Sequence, residues 1–465
     1  MEYNQRLVRQ LDNIFAPRSV AIVGLPRGMK IGKLFLTAFQ DLGFRGPIYP
    51  VHPKAHEIDG LRTYRSVSAV PGPVDLAIIL VPHHSALPVV RDCAAKGVKG
   101  AVLFTAGYKE TGTQEGKTLE NKLVQVARSS GMRLFGPNCM GIYAPKTGVS
   151  FFPGLSRESG NVGLISHSGS LANILALIGP QKGIRFSKVV SLGNECDLSS
   201  VDLLNYLGSD EATGVIGAYL ENIKNGPAFL NALKNASKKK PVVLWKLGIT
   251  PEGGKAAASH TGALSGSPTI WNAVVRQGGA VSVVGLDVLL DTLMGFALLP
   301  SNLGNRIAIL SGPGGLAVAA AEACGRAGLE LAEISEKTRS ELSKVIPATG
   351  TSLRNPVDVG LTPSIQIDVY DFSAKILAED PSVDALVVIG RGMTAELNEA
   401  FAHAIIKTHE KHKKPFMIVD VPGFDKGLSE TFCRSGIPFF QTVERAVSVY
   451  AEVRRYQNRS GNMKR

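Results

Sequence analysis

A single histidine within a run of small residues is the candidate nucleophile of this sequence. His260 lies between Lys255 and Gly266, in the run KAAASHTGALSG. Neutral imidazole can attack phosphorus and form a covalent intermediate. A lone histidine is usually structural, but the small residues on both sides of His260 argue against a tightly packed core position. The glycines that follow it predict a mobile loop.

A glycine-rich loop near the N-terminus is the candidate nucleotide site. Glycines let a backbone approach a phosphate, and the next helix offers its N-terminus. The spacing of Gly24, Gly28 and Gly32 is not the G-x-G-x-x-G of NAD-binding loops. Lys54 stands where an NAD enzyme places a carboxylate, which favours a phosphorylated ribose, as in coenzyme A or NADP. The predicted binding residues are Gly24, Pro26, Arg27, Lys30, Gly32, Lys54, Val81, Pro82 and Asn138.

Two strand-to-helix turns are candidate phosphate sites, because backbone N–H groups and the helix dipole favour anions there. Ser and Gly are also common helix caps, so an ordinary cap is the alternative for each turn. The first turn contributes Ser166, Ser168, Gly169 and Ser170. The second contributes Gly312, Gly314 and Gly315.

These segments follow short apolar strands that alternate with helix-length stretches, which is typical of parallel sheets covered on both faces. Ligands bind beyond the carboxyl ends of such strands. The predicted strands fall into three sets, which indicates three α/β units. The first set is 19–24, 48–51, 75–82 and 100–106; the second is 161–166, 188–192, 214–220 and 241–247; the third is 306–311, 385–390, 415–421 and 437–440.

Composition restricts the classes of partner. The chain has 465 residues, 51 Lys and Arg against 39 Asp and Glu, and only 6% aromatic residues. This surplus of positive charge suits a polyanionic ligand, but basic residues interleaved with stacking aromatics are absent, which argues against nucleic acid. Five scattered cysteines, without a C-x-x-C pair, fit a reducing cytoplasm. The apolar runs are strand-sized, so we expect no membrane span, and no His/Asp/Glu cluster predicts a metal site.

Three motifs together carry a resemblance that covers nearly the whole chain. They are the run YPVHPK at 49–54, the turn GPNC at 136–139 and the segment around His260. In this order they resemble the α subunit of ADP-forming (NDP-forming) acyl-CoA synthetases, a group that includes the acetate–CoA ligases and is related to succinyl-CoA synthetase.

The resemblance implies an architecture and a set of roles. Residues 1–147 would form a Rossmann-like CoA-binding domain, and 148–302 and 303–465 two flavodoxin-like ligase domains. His260 would be phosphorylated during turnover, and the two turns would cradle its phosphate. Glu195 would lie next to His260 and fix the tautomer of its imidazole. Asp197 is the second candidate for this role, and its alternative role is to cap a helix. His167 stands where glutamine is frequent, and Gly312-Pro313 replaces the usual Asn-Ala.

The family's reaction also needs ADP or ATP with Mg²⁺, yet the chain contains no Walker-A motif, G-x-x-x-x-G-K-S/T. The resemblance therefore implies a separate ATP-grasp β subunit, in an α2β2 heterotetramer. Acyl-CoA, phosphate and ADP would be interconverted with a carboxylic acid, CoA and ATP. Two other functions stay open: a non-catalytic acyl-CoA-binding or regulatory protein, and an NADP-dependent oxidoreductase. The acyl group and the choice of ADP or GDP cannot be read from the sequence.

Overall fold

The computed structural model describes residues 2–28, 30–261, 266–348, 351–420 and 425–462. The chain folds into two compact units. The first comprises Met1–Pro180 and Arg185–Gly285, and the second comprises Gln181–Ile184 and Leu286–Arg465.

The first unit starts with strands β1 (Val20–Val23), β2 (Ile48–Val51), β3 (Glu57–Ile58), β4 (Leu61–Arg62), β5 (Leu76–Ile79), β6 (Gly100–Leu103) and β7 (Arg133–Phe135). Its helices are α1 (Glu2–Phe15), α2 (Lys33–Leu42), α3 (His83–Lys96) and α4 (Gln114–Ser130). The order β2-β1-β5-β6-β7 forms a parallel sheet, while β3 and β4 pair with each other. Every residue of β1, β5 and β6 is buried, because helices cover both faces.

The first unit continues with strands β8 (Ile142–Tyr143), β9 (Val162–Ser166), β10 (Phe186–Ser191), β11 (Val215–Leu220), β12 (Val242–Lys246) and β13 (Val281–Val283). The helices between them are α5 (Gly169–Ile178), α6 (Ser200–Ser209), α7 (Gly226–Ser237), α8 (Pro251–Thr261) and α9 (Pro268–Gly278). The sheet order is β13-β12-β11-β9-β10-β8, and β8 runs antiparallel to β10. The central strands β9 and β11 are buried throughout.

The second unit begins with α10 (Leu286–Leu298) and contains strands β14 (Arg306–Ser311), β15 (Glu330–Leu331), β16 (Val357–Asp358), β17 (Ala385–Ile389), β18 (Phe416–Val419) and β19 (Phe439–Phe440). Its other helices are α11 (Gly314–Ala327), α12 (Glu336–Leu342), α13 (Asp368–Glu379), α14 (Ala395–His412), α15 (Lys426–Arg434) and α16 (Val443–Asn462). The parallel order β15-β14-β17-β18-β19 is extended by β16, which pairs with β14.

Each of the twelve predicted strand segments overlaps a strand of the structure, and the predicted α/β class with three successive sheets is confirmed. The strands that the sequence did not predict are two or three residues long: β3, β4, β7, β8, β13, β15 and β16. The domain boundaries at 147 and 302 stay a prediction. One expectation is wrong: position 260 lies in the last turn of α8 rather than in a loop.

Candidate active site

A cavity of about 560 Å³ lies at the carboxyl edge of the first sheet. Four of the predicted CoA-binding residues line it: Gly24, Pro26, Val81 and Pro82. The left-handed backbone of Gly24, with φ of 84°, is needed for this shape, because a Cβ there would lie 2.8 Å from Cγ1 of Val81. Gly24 therefore lets the end of β1 pack against the end of β5, whether or not a phosphate approaches it.

Two of the predicted cations lie near His52, which lines this cavity. The backbone N–H groups of Lys54 and Ala55 donate to Nδ1 of His52 over 3.1 and 2.8 Å. Burial lowers the pKa of His52, and the charges of Arg27 and Lys54 lower it further. The predicted residues Arg27, Lys30, Gly32 and Lys54 are not themselves among the residues that line the cavity.

A second cavity of about 450 Å³ lies where the first and second sheets of the first unit meet. Among its lining residues are the predicted Asn138, Ser168, Gly169 and Ser170, together with Phe104, Met140 and His167. Asn138 adopts a left-handed backbone with φ of 57°, and its N–H donates to the carbonyl of Thr105 over 3.1 Å. The predicted CoA-binding turn and the predicted phosphate turn therefore face one space.

The turn before α5 divides its serines between two tasks. Ser168 is the N-cap and accepts a hydrogen bond from the N–H of Leu171 over 3.3 Å. Ser166 is fully buried, and its hydroxyl donates to the carbonyl of Ser168 over 2.7 Å. Ser168 and Ser170 line the cavity. Ser166 does not line it, and its hydrogen bond to the carbonyl of Ser168 stabilises the turn.

The turn before α11, in the second unit, repeats this construction. Ser311 is fully buried and donates to the carbonyl of Pro313 over 2.9 Å, as Ser166 does to Ser168. A Cβ on Gly314 would lie 2.5 Å from Oδ2 of Asp358, so this position accepts only glycine without a rearrangement. A Cβ on Gly312 would collide with the hydroxyl of Tyr370. A Cβ on Gly315 would meet no atom within 4 Å.

His260 is placed only by its backbone. It belongs to α8, which directly follows β12 at the carboxyl edge of the second sheet. The side chain of His260 and residues 262–265 lie outside the described residues. The helix α8 contacts the short 3-10 helix Lys109–Thr111, which follows β6 of the first sheet.

The predicted partner of His260, Glu195, has a different described neighbour. Its Oε1 lies 3.3 Å from Nε2 of His167, and the same oxygen accepts the N–H of Ser200. Burial raises the pKa of Glu195, but the adjacent His167 and Lys224 outweigh burial and hold it below its ordinary value. The carboxylate is thus ionised and already engaged. Pairing with His260 stays a prediction.

Asp197, the runner-up, joins the first and second sheets. Its carboxylate is fully buried and pairs with Nε of Arg128 and Nε of Arg133, each at 2.8 Å. It also accepts the N–H of Leu134 over 3.0 Å. These contacts make Asp197 a structural clamp, and the cap of α6 is instead Ser199.

Glu221 is a buried carboxylate that the sequence analysis missed. It directly follows β11, and its Oε1 accepts the hydroxyl of Tyr219 over 3.0 Å. Nζ of Lys246, at the end of β12, donates to the carbonyl of Glu221 over 3.0 Å. Burial lowers the pKa of Lys246 to about 8, although the charge of Glu221 opposes this shift. Both residues end predicted strands, so the rule that selected Glu195 could have found them.

Two searches of the described ranges bear on other kinds of site. No group of three or more His, Cys, Asp or Glu side chains there could hold a metal ion. No helix within those ranges is long and apolar enough to cross a membrane.

Comparisons with known proteins agree with this arrangement. Residues 18–145 match a CoA binding domain, and residues 159–296 match the succinyl-CoA ligase like flavodoxin domain. The ADP-forming acetate–CoA ligase II subunit alpha of Pyrococcus furiosus is 36% identical, over 97% of this chain and 99% of that protein. The ADP-forming 4-hydroxybutyrate–CoA ligase of Nitrosopumilus maritimus is 33% identical, over 96% of this chain and 64% of that protein.

A solved structure has the same fold over its whole length. Acetyl-coenzyme A synthetase 1 of Ca. Korarchaeum cryptofilum, in complex with phosphate and ADP, superposes with a TM-score of 0.85 at 33% identity. The match covers 98% of both chains.

The two domain matches and the relatives named as ADP-forming acetate–CoA ligases place the chain among acid–thiol ligases. The chain belongs to the family of ADP-forming acetate–CoA ligase alpha subunits.

Proposed function

We propose that this chain is the subunit of an ADP-forming acyl-CoA ligase that binds acyl-CoA and carries a phosphohistidine at His260. The observation that supports this most is the second cavity. The turn that carries Asn138 and the N-terminus of α5 line the same space, and α8 follows a strand of the same sheet. A thioester and an anion can therefore meet there, at the edge from which His260 is presented.

The reaction runs in three reversible transfers. An oxygen of inorganic phosphate attacks the thioester carbonyl, the C–S bond breaks, and free CoA leaves an acyl phosphate. A ring nitrogen of His260 then attacks the phosphorus, the bond to the acyl oxygen breaks, and the carboxylate departs. Finally the β-phosphate of ADP takes the phosphoryl group and restores the imidazole. Positioning and charge stabilisation carry most of this catalysis.

The first cavity would hold the coenzyme. The apolar wall at Val81 and Pro82 suits the adenine or pantetheine arm, and Arg27 and Lys54 near His52 suit the 3′-phosphate. Lys30 and Gly32 lie on the same loop and would contact the phosphates from its outer side. The N–H groups at the start of α5 would hold the transferred phosphate, with Gly312, Gly314 and Gly315 as the second set of donors.

Glu221 is the better candidate for the carboxylate that orients His260. A Cβ built on Gly248 would lie 3.4 Å from Cβ of Ala257 and 3.5 Å from the carbonyl of Glu221, so α8 packs over the end of β11. Positions 257 and 260 share a helix face, because residues three apart are neighbours on a helix. The carboxylate of Glu195 contacts His167 and the N–H of Ser200. Asp197 is engaged by arginines.

The nucleotide would bind mainly to another chain. Relatives named alpha subunits imply a separate partner subunit. We propose that the partner is an ATP-grasp β subunit in an α2β2 assembly, and that ADP or ATP binds there with Mg²⁺. The domains would be 1–147 for CoA and 148–302 and 303–465 for the ligase halves. The five free thiols fit the reducing cytoplasm.

The test supplies substrates without nucleotide. The chain and its partner are incubated with labelled inorganic phosphate and acetyl-CoA, a branched acyl-CoA or an aryl acyl-CoA, and acid-labile label on the chain is measured. We expect label on the wild type and on His403→Ala, a matched change of an exposed histidine on α14, but none on His260→Ala. Tight CoA binding without label from any thioester would contradict the proposal and favour a non-catalytic acyl-CoA-binding protein.

A further inference from the structure

His167 joins three strand ends at the base of the second cavity. It directly follows β9 and is only 5% exposed, although it lines the cavity beside Ser168. Its Nδ1 accepts the backbone N–H of Glu221, which follows β11, over 3.1 Å and that of Asn222 over 3.4 Å. Its Nε2 lies 3.3 Å from Oε1 of Glu195, on the loop after β10.

These contacts fix where the proton of the ring sits. A nitrogen that accepts hydrogen bonds from backbone N–H groups must keep its lone pair, so Nδ1 is unprotonated. The proton of the neutral ring is therefore on Nε2, facing the ionised carboxylate of Glu195. Nδ1 is satisfied by backbone N–H groups, whereas Nε2 makes no hydrogen bond of good geometry and has an electrostatic contact of 3.3 Å with the Glu195 carboxylate.

We propose that His167 is a positioning residue for phosphoryl transfer. It connects the Glu195 carboxylate to the backbone of Glu221, and so it holds the carboxyl group of Glu221 at the edge from which α8 presents His260. This inference rests on the proposed function. A misplacement of about 1 Å at a transfer site can cost about a hundredfold in rate.

Two substitutions separate this role from simple packing. Glutamine carries one acceptor and one donor, so His167→Gln can accept from the N–H of Glu221 and donate to Glu195. Leucine fills a similar volume with neither group, so His167→Leu leaves the buried Glu195 carboxylate without its neighbour. Neither change touches the first cavity, whose lining does not include His167.

The experiment measures the rate of acid-labile labelling from labelled ATP and Mg²⁺ in the complex with the partner subunit. At about pH 7.5 we expect His167→Gln to stay within about fivefold of wild type, and His167→Leu to fall roughly a hundredfold with CoA affinity unchanged.

Three outcomes would overturn the inference. They are an unchanged rate in His167→Leu, equal losses in Leu and Gln variants that fold and bind CoA, and no label on wild type. The last would overturn the phosphohistidine reaction as well, whereas the first two would leave that reaction standing. If His167→Leu does not fold, His167→Met, which also lacks a hydrogen-bond donor, takes its place with the same expected loss.

Discussion

Removing the charge of Lys54 should weaken coenzyme A far more than dephospho-coenzyme A. In the proposed function Arg27 and Lys54 bind the 3′-phosphate, and the charges of both act on His52, which lines the first cavity. Because Lys54 is solvent-exposed, its attraction for the phosphate lies near the aqueous limit of about 1 kcal/mol per charge pair at 4 Å. A phosphate monoester carries nearly two charges near pH 7, so Lys54→Ala should raise the Kd of CoA roughly 10- to 30-fold.

The assay is calorimetric titration of the wild type, Lys54→Ala and Lys122→Ala with both ligands. Lys122 is an exposed lysine on α4 that does not line the cavity, so it controls for the loss of one positive charge. The difference should shrink as salt is raised, because exposed charges are screened beyond about 10 Å at 0.1 M salt. Equal weakening of both ligands by Lys54→Ala would refute the assignment of the 3′-phosphate to Lys54.

Asp197→Ala should lower the free energy of unfolding of the first unit by about 3 kcal/mol, the lower end for a broken buried ion pair. It removes the buried acceptor that Arg133, Arg128 and the N–H of Leu134 share, while the guanidinium of Arg128 stays largely in solvent. Glu322→Ala, which breaks an exposed helix pair on α11, should cost at most about 0.5 kcal/mol; chemical denaturation compares the two, and equal costs would refute the clamp. With the pKa of Lys246 near 8 instead of its ordinary 10.5, the unfolded chain binds the extra proton between these values, so stability rises with pH there. Relative to Lys246→Met, the wild type should gain up to about 3 kcal/mol of unfolding free energy between pH 8 and pH 10.5. Thermal unfolding midpoints that change with pH by the same amount in both proteins would contradict this. Glu221→Gln should slow phosphorylation of His260 at least roughly a hundredfold while CoA affinity is kept, and a larger loss in Glu195→Gln would return the orienting role to Glu195.

The sheets could be predicted from the sequence because their central strands are continuous apolar runs. Val20–Val23 and Ala385–Ile389 are buried at every position, and this leaves a pattern that needs no tertiary knowledge. Short edge strands such as Ile142–Tyr143 leave no such pattern, since two residues form a strand only where a neighbour is already in place.

The secondary structure around His260 was predicted less well than the strands, because the neighbouring residue types favour opposite structures. The glycines at 262 and 266 suggested a loop, yet Ala256, Ala257 and Ala258 belong to the strongest helix-forming residue type and lie within α8. Weighting alanine above the glycines would have predicted the helix.

The sequence alone does not distinguish which carboxylate orients His260. Glu195 and Glu221 both follow parallel strands, so the strand pattern favours neither of them. Only the structure shows that His167 and the N–H of Ser200 engage the Glu195 carboxylate, and that the carbonyl of Glu221 and Ala257 of α8 both lie next to Gly248. The contacts of His167 with Glu195 and with the N–H of Glu221 join residues that are 28 and 54 positions apart in the chain.

The most direct test of the account is to locate the phosphate on the native complex. The chain with its partner subunit would be incubated with labelled ATP and Mg²⁺, and the acid-labile label would be mapped by mass spectrometry under alkaline conditions. The account predicts one phosphorylated peptide, modified at His260, and no acid-labile label on His260→Ala in a complex that still binds CoA. A label that persists in His260→Ala, or that maps to another residue, would contradict it.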